Sequence, residues 1–364
     1  MFAFVRAGRP HHITMRKGCA LLLLCLFWTT SIVSQTITDK DRQELVGPVK
    51  SVEFYLIELV RKDNRIVEGT RRPQQTTSYN SNGNISEKTS YDQNGAVSAR
   101  DVHTYDANGR STGYEEYAAL LDKSLTIPRR HVYTLNEQGR KVEYSVFESD
   151  GSVATRFVYK YDVKGNLTEQ QWYTHTGQLG GRTVYTFDEQ RNQTSQANYQ
   201  ADGALSWKHT SVYDGAGNKT ESLQYEGDTL RYKVVFRYDS KGRILEKETA
   251  EFNSIPGALP STHAPEPGRV VYTYDDEKKT KEVATYKVDG TLKGKVVVAF
   301  DKRNNEVEFT NFSTAGSLKK RETQLIDIEY DSHGNWTRKT RLIQSEKGEQ
   351  PQPYYAELRV ITYY

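Results

Sequence analysis

Cysteine is almost missing from this 364-residue chain: Cys19 and Cys25 are the whole supply, and both sit in or beside one apolar run near the N-terminus. That run, Cys19 to Trp28, is too short to act as a bilayer-spanning stop-transfer helix. It follows Arg16 and Lys17 and precedes the small residues Thr29, Thr30, Ser31 and Ser34. A charged region, an apolar region and a small-residue site together predict an export signal over residues 1–34, cleaved near Ser34, with 1–14 as an upstream extension. A retained N-terminal anchor is the alternative. Cleavage removes both thiols, which excludes disulfides and cysteine metal sites from the remainder.

Excess charge of one sign is missing too. Residues 1–34 hold Arg6, Arg9, Arg16 and Lys17 and no acid, so 46 bases face 47 acids beyond them. Nothing in that balance favours nucleic acid or anionic lipid as a partner. His103, His131, His175, His209, His263 and His333 are scattered, with none at metal-ligand spacing. Phosphate-binding loops, nucleophile elbows and dinucleotide fingerprints are absent. The reading is a non-enzymatic protein with no cofactor and no metal.

Tyrosine, by contrast, is plentiful at 25, and glycine recurs with a beat. Gly139, Gly151, Gly165, Gly177, Arg191, Gly203 and Gly217 are separated alternately by 12 and 14 residues, giving a 26-residue unit of two unequal halves. Four residues before nearly every mark stands an aromatic, as Tyr161 does before Gly165 and Tyr173 before Gly177, and Asp often follows it. Asp at a turn start bonds backbone further on, and Gly three residues later tolerates positive φ. The flanks alternate apolar and polar, as in Phe157, Tyr159, Tyr161. The spacing predicts an all-β, antiparallel β-hairpin repeat array of about 20 strands, in a curved or spiral single-layer sheet. On this reading Tyr161 and Tyr173 hold the same structural position in consecutive half-units.

The strings YDVKGN (Tyr161–Asn166), YDGAGN (Tyr213–Asn218) and YDSHGN (Tyr330–Asn335) resemble the RHS/YD-repeat proteins, with MORN-like hairpin arrays a weaker likeness. The resemblance covers roughly Tyr79 to Tyr364. It implies a secreted or surface bacterial protein built from β-hairpin repeats.

Residues 35–75 read as an N-terminal cap with a short polar helix, and 76–364 as the repeat domain. Extra length gathers at alternate turns, around Val67–Pro73, Tyr117–Pro128, Asn253–Gly268 and Gln344–Pro353. Insertions on one side of a repeat array point to a binding edge. Candidate binding residues are therefore Pro256, Pro260, His263 and Pro265 in the longest insertion. Trp172, Trp207 and Trp336 join them as stacking platforms for sugar, with hairpin packing as the alternative. The expected role is a binding or structural module at the bacterial cell envelope, secreted, periplasmic or associated with the outer membrane. Its partner would be a polysaccharide or an envelope protein. An immunity-type or partner subunit of a secreted effector is the second reading. An outer-membrane β-barrel is the third, disfavoured because Lys and Glu enter both strand faces.

Overall fold

The computed structural model describes residues 37–119, 128–253, 265–313, 320–345 and 348–364. The fold below is that of the unit Thr38–Tyr364. The expected export signal lies outside the described residues, as do Pro256, Pro260 and His263.

After a one-turn helix α1 (Asp39–Arg42) come β1 (Val49–Lys62), β2 (Arg65–Tyr79), β3 (Ile85–Tyr91), β4 (Val97–Tyr105), β5 (Ser111–Ala118), β6 (Arg129–Leu135), β7 (Lys141–Phe147) and β8 (Val153–Tyr161). Then follow β9 (Leu167–Tyr173), β10 (Leu179–Phe187), β11 (Gln193–Gln200), β12 (Leu205–Tyr213), β13 (Lys219–Glu226), β14 (Thr229–Tyr238) and β15 (Ile244–Glu251). The last are β16 (Gly268–Asp275), β17 (Thr280–Tyr286), β18 (Leu292–Phe300), β19 (Glu306–Ser313), β20 (Lys320–Tyr330), β21 (Trp336–Gln344) and β22 (Gln352–Tyr363).

Each strand pairs antiparallel with the next, and β22 pairs back onto β1 through Val52–Ile361 and Ile57–Ala356. The sheet is therefore a closed 22-stranded barrel. The antiparallel hairpin array in a single curved layer stands as expected, and its curvature closes into a ring. Closure is the physical answer to an edge problem: an open array would leave two rows of unpaired N–H and C=O groups.

The turns have the expected chemistry. Asp162 Oδ1 accepts from the Asn166 amide at 2.8 Å, the Gly165 amide donates to Asp162 O at 2.9 Å, and Gly165 has φ +86°. Where glycine is replaced, Arg191 and Asn304 adopt positive φ in its stead. At the degenerate mark near Thr229 the turn is a shorter one, with Gly227 at φ +53°. Turns preceding the odd-numbered strands from β3 onward form one rim, and the remaining turns form the second. Every long insertion falls between strands joined at the second rim. Val67–Pro73 lies within β2, in an elongated β1–β2 hairpin, and not in a loop. That hairpin is bulged after Phe54 and after Ile57, and Glu68 near its tip pairs with Arg338 of β21. Ile57, Leu59 and Ala356 are buried at this seam together with Leu342 and Leu358.

Strand pairing sorts side chains onto two faces. One carries Glu143, Arg156, Glu169, Arg182, Lys208 and Lys233; the other carries His103, Tyr114, Tyr144, Phe157, Trp172 and Trp207. Handedness tells which is outside. In a strand of L-residues running upward, a residue facing the viewer directs its N–H and C=O to the right. With the first rim uppermost, the upward strands β4, β12 and β14 bond the following strand through charged-face residues: Ser98, Ser206 and Arg231 carbonyls accept from Ala119, Gly227 and Phe252. Chain order therefore runs left to right when the charged face is viewed. The pairing line Lys160, Glu169, Val184, Ala197, Lys208, Tyr225 falls from the first rim to the second along that direction. Strands crossing a falling line lean up to the right, the right-handed coil that a twisted closed sheet shows from outside. The charged face is the outer one, and the aromatic face lines the lumen.

A circular barrel of this strand number would measure on the order of 40 Å across, too wide for side chains to fill. Buried apolar residues are accordingly few and cluster where the chain ends meet. There α1 and the segment after it pack on the inner face at the first rim. Gln43 accepts from the Tyr79 hydroxyl at 2.6 Å, Asp39 accepts from the Ile85 amide at 3.0 Å, and Leu45 packs with Val49, Val52 and Tyr79.

Candidate functional site

The inner face of β4 to β9 carries a continuous run of rings. His103 and Tyr114 stack at 5.4 Å, Tyr114 and His131 at 4.0 Å with planes 8° apart, and His131 and Tyr144 at 5.9 Å. Tyr144 and Phe157 follow at 5.7 Å, and Phe157 stands directly across from Trp172. The strip exists because alternation puts one inward ring on each strand and the register brings those rings level. Six strands at sheet spacing make it about 24 Å wide. Trp172 can lie flat because β10 offers Gly180 and Gly181 beneath it; a Cβ at Gly180 would meet the indole at 2.2 Å.

Polar groups border the rings. His131 is buried; its Nδ1 lies 2.7 Å from the Tyr144 hydroxyl and its Nε2 lies 3.0 Å from Glu116 Oε2. Glu116 stands across from Asp101, and Asp101 across from Lys88. Burial pushes the Asp101 carboxyl up and the His103 imidazole down. It also raises the Tyr114, Tyr133 and Tyr144 phenols, and lifts Tyr159 to about 12. All four hydroxyls therefore stay protonated at neutral pH and can both donate and accept.

The structure thus gathers Asp101, Glu116, His103 and His131 from three strands. Both nitrogens of His131 are engaged, and among the described residues no group of three His, Cys, Asp or Glu could hold a metal ion. The arrangement suits stacking and hydrogen bonding to a bound molecule.

The tryptophans separate. Trp172, 39% exposed, belongs to the strip. Trp207 lies on the same face in β12, its ring 5.0 Å from His209. Trp336 is enclosed at the seam between Lys339 at 4.2 Å and Arg359 at 3.8 Å. Pro265 is half-buried just before β16, away from the strip. Tyr114, His131, Tyr144 and Phe157 escape a reading by motif, because each is an ordinary strand residue. Only strand parity combined with register shows them on one face.

No family model matches this chain, and no curated protein matches it. Among solved structures it is similar to a porin-like protein from Bacteroides uniformis, with 11% identity, 87% of this chain and 99% of that one covered, and a TM-score of 0.30. It is also similar to TcdB2-TccC3 without its hypervariable C-terminal region, with 11% identity over 82% of this chain and a TM-score of 0.30. The TcdB2-TccC3 structure gives 12% identity over 80% and a TM-score of 0.29. The chain spans about a fifth of the TcdB2-TccC3 chains. At this overlap the similarities add nothing to what the strand pairing shows.

Proposed function

We propose that this chain is an exported, non-enzymatic binding barrel of the bacterial cell envelope, built as an RHS/YD-type repeat, and that it binds polysaccharide on the inner-face strip. The observation that carries this reading is the line of inward rings from His103 to Trp172, partly exposed apart from the buried His131 and edged by Asp101, Glu116, Gln170 and Asn198. Sugar rings present apolar C–H faces to aromatic planes and hydroxyls to carboxylates and amides, so a strip of this composition matches an extended glycan. A membrane-spanning barrel fits less well. The outer face holds the ion pairs Arg100–Glu87, Lys233–Glu221, Arg237–Glu246 and Lys295–Glu282, where a bilayer needs an apolar band.

The test is titration of the chain with neutral envelope oligosaccharides, read by tryptophan fluorescence. Trp172→Ala is expected to weaken binding about tenfold, the scale of one lost stacking contact. Equal affinity of the variant and the parent would remove the strip from the account. Binding of none of the glycans, with capture of a discrete protein subunit instead, would favour the effector-partner reading.

A further inference from the structure

The second rim holds a cavity with a different chemistry. β15 pairs with β16 only from Glu246 to Thr249, though β15 runs on to Glu251, so the two strands part before the rim. Beside this parting a cavity of about 640 Å³ extends over the start of β16 to the β17–β18 turn, lined by Lys247, Arg269, Tyr286, Lys287, Val288 and Lys293 among others. That volume suits a molecule of sugar size and far exceeds a bare ion. Its floor is fixed: Gly268 has φ +133°, and a Cβ there would sit 2.3 Å from the Tyr286 carbonyl.

Four cations line it, Lys247 from the inner face and Arg269 from the outer, and they outnumber their carboxylate partners. Arg269 lies 3.6 Å from Glu246, which also binds Arg237, and its guanidinium covers the Tyr286 ring at 4.8 Å. Lys293 pairs with Glu266. Asp289 accepts from the Thr291 amide at 2.8 Å and from its hydroxyl. Among the described residues Lys247 has no carboxylate partner, whereas Asp289, held low first by its Thr291 bonds, also feels the charge of Lys287. Lys247 is also half-buried on the inner face, across from Val270, so its charge is screened less than that of an open-surface lysine. Tyr286, Val288 and Pro267 supply an apolar wall beside the two ammonium groups.

We propose that this cavity is an anion subsite that takes an oxyanion group carried on a sugar-sized body, with Lys247 and Lys287 as its charge partners. The proposal does not depend on the aromatic strip. A uronic-acid carboxylate and a sugar phosphate share the required chemistry, and the assay separates them. The full chain is titrated by calorimetry with a galacturonate trisaccharide, with glucose 6-phosphate and with a neutral hexose trisaccharide. The parent, Lys247→Gln/Lys287→Gln and Trp172→Ala are compared at low and high salt. Both lysines are partly or fully exposed, so the double variant is expected to keep the parent's thermal midpoint.

The expected result is that one of the anionic probes loses at least tenfold in affinity in the lysine variant and weakens with salt, while the neutral probe is unchanged. Whichever anion binds more tightly names the source. Trp172→Ala should leave this anion-dependent component intact, so a failed aromatic strip and a failed anion subsite give different patterns. Equal affinity of the parent and the lysine variant for both anions, or no binding of either, overturns the proposal.

Discussion

The two rims of the barrel use one local code and obtain different chemistry from it. At the first rim, five of the tyrosines that precede a turn point inward and donate a hydroxyl bond to a carbonyl on the preceding hairpin: Tyr105 to Ile85, Tyr161 to Lys141, Tyr213 to Gln193, Tyr238 to Lys219 and Tyr274 to Ile244, at 2.6–3.0 Å. At the second rim the equivalent ring points outward and lies under a cation directly across the pair. Arg156 covers Tyr173, Arg182 covers Tyr199 and Arg130 covers Phe147, at 4.5–5.3 Å. Advancing one strand in the same direction reverses both the strand and the face it shows. Tyr161 and Tyr173 are thus locally equivalent and globally opposite, which corrects their expected identity. The first rim is stitched by directional bonds and also receives the chain ends. Ring–cation contacts occur at both rims, as with Arg243 over Tyr274 at 4.2 Å, but among the described residues those at the second rim are not joined by these hydroxyl-to-carbonyl bonds, and that rim accepts the insertions.

The sharpest way to break this contrast is to remove one polar residue from each rim. Asn335 is buried at the first rim. It accepts from the Val46 amide at 2.7 Å and donates to Val46 O at 2.8 Å and to the Tyr363 hydroxyl at 2.7 Å. Asn335→Ala strands those groups and should cost about 3 kcal/mol, read as a lower urea midpoint. At the second rim Asp150 bonds the Ser152 amide in open solvent, and Asp150→Ala should leave the midpoint within error. A smaller contrast comes from single oxygen atoms. Tyr213→Phe deletes the bond to Gln193 and should cost about 1 kcal/mol. Tyr199→Phe keeps its ring under Arg182 and should cost almost nothing. Matching losses in the two phenylalanine variants would mean that the hydroxyls do not distinguish the rims.

Most of the local fold is readable from the sequence because the repeat writes it many times. Asp, Gly and the flanking alternation each specify a turn or a strand by short-range physics, and α1 follows from Thr38 as its cap. Closure is not readable in this way. It rests on the pairing of Val52 with Ile361 and of Ile57 with Ala356, contacts between the two ends of the barrel that no local pattern encodes. The aromatic strip fails to show for a related reason. Tyr114 and His131 are adjacent in space but 17 positions apart, and their shared face depends on register accumulated through an insertion. Trp336 misleads because its motif position, directly after a turn, looks exposed, whereas the seam supplies Lys339 and Arg359 on either side of it.

The finest contrast between the rims is in their acid response. At the first rim Asp106, Asp162 and Asp239 are held below the ordinary carboxyl range chiefly by the backbone amides of Arg110, Asn166 and Arg243. Asp214 is lowered first by the Asn218 side chain. At the second rim the corresponding turns open with Asp92, Glu148, Thr174, Gln200 or Lys287, and the carboxylate that accepts a turn amide is more often two residues further on, as with Asp150, Asp202 and Asp289. A carboxyl with a depressed folded-state pKa stabilises the fold above its unfolded value of 3.8, and that contribution disappears as pH falls through the folded value. Stability should therefore decline as the pH is lowered below about 4, with the loss concentrated at the first rim. Replacing Asp106, Asp162, Asp214 and Asp239 by Asn keeps an acceptor oxygen and removes the titration. The urea midpoint of that variant should change less between pH 5 and pH 2.5 than the parent's. Replacing Asp150 and Asp289 at the second rim should flatten the profile less, since fewer turns there depend on a carboxylate. If the two sets flatten it equally, the acid response belongs to the turn motif alone, and the rims differ only in where their rings point.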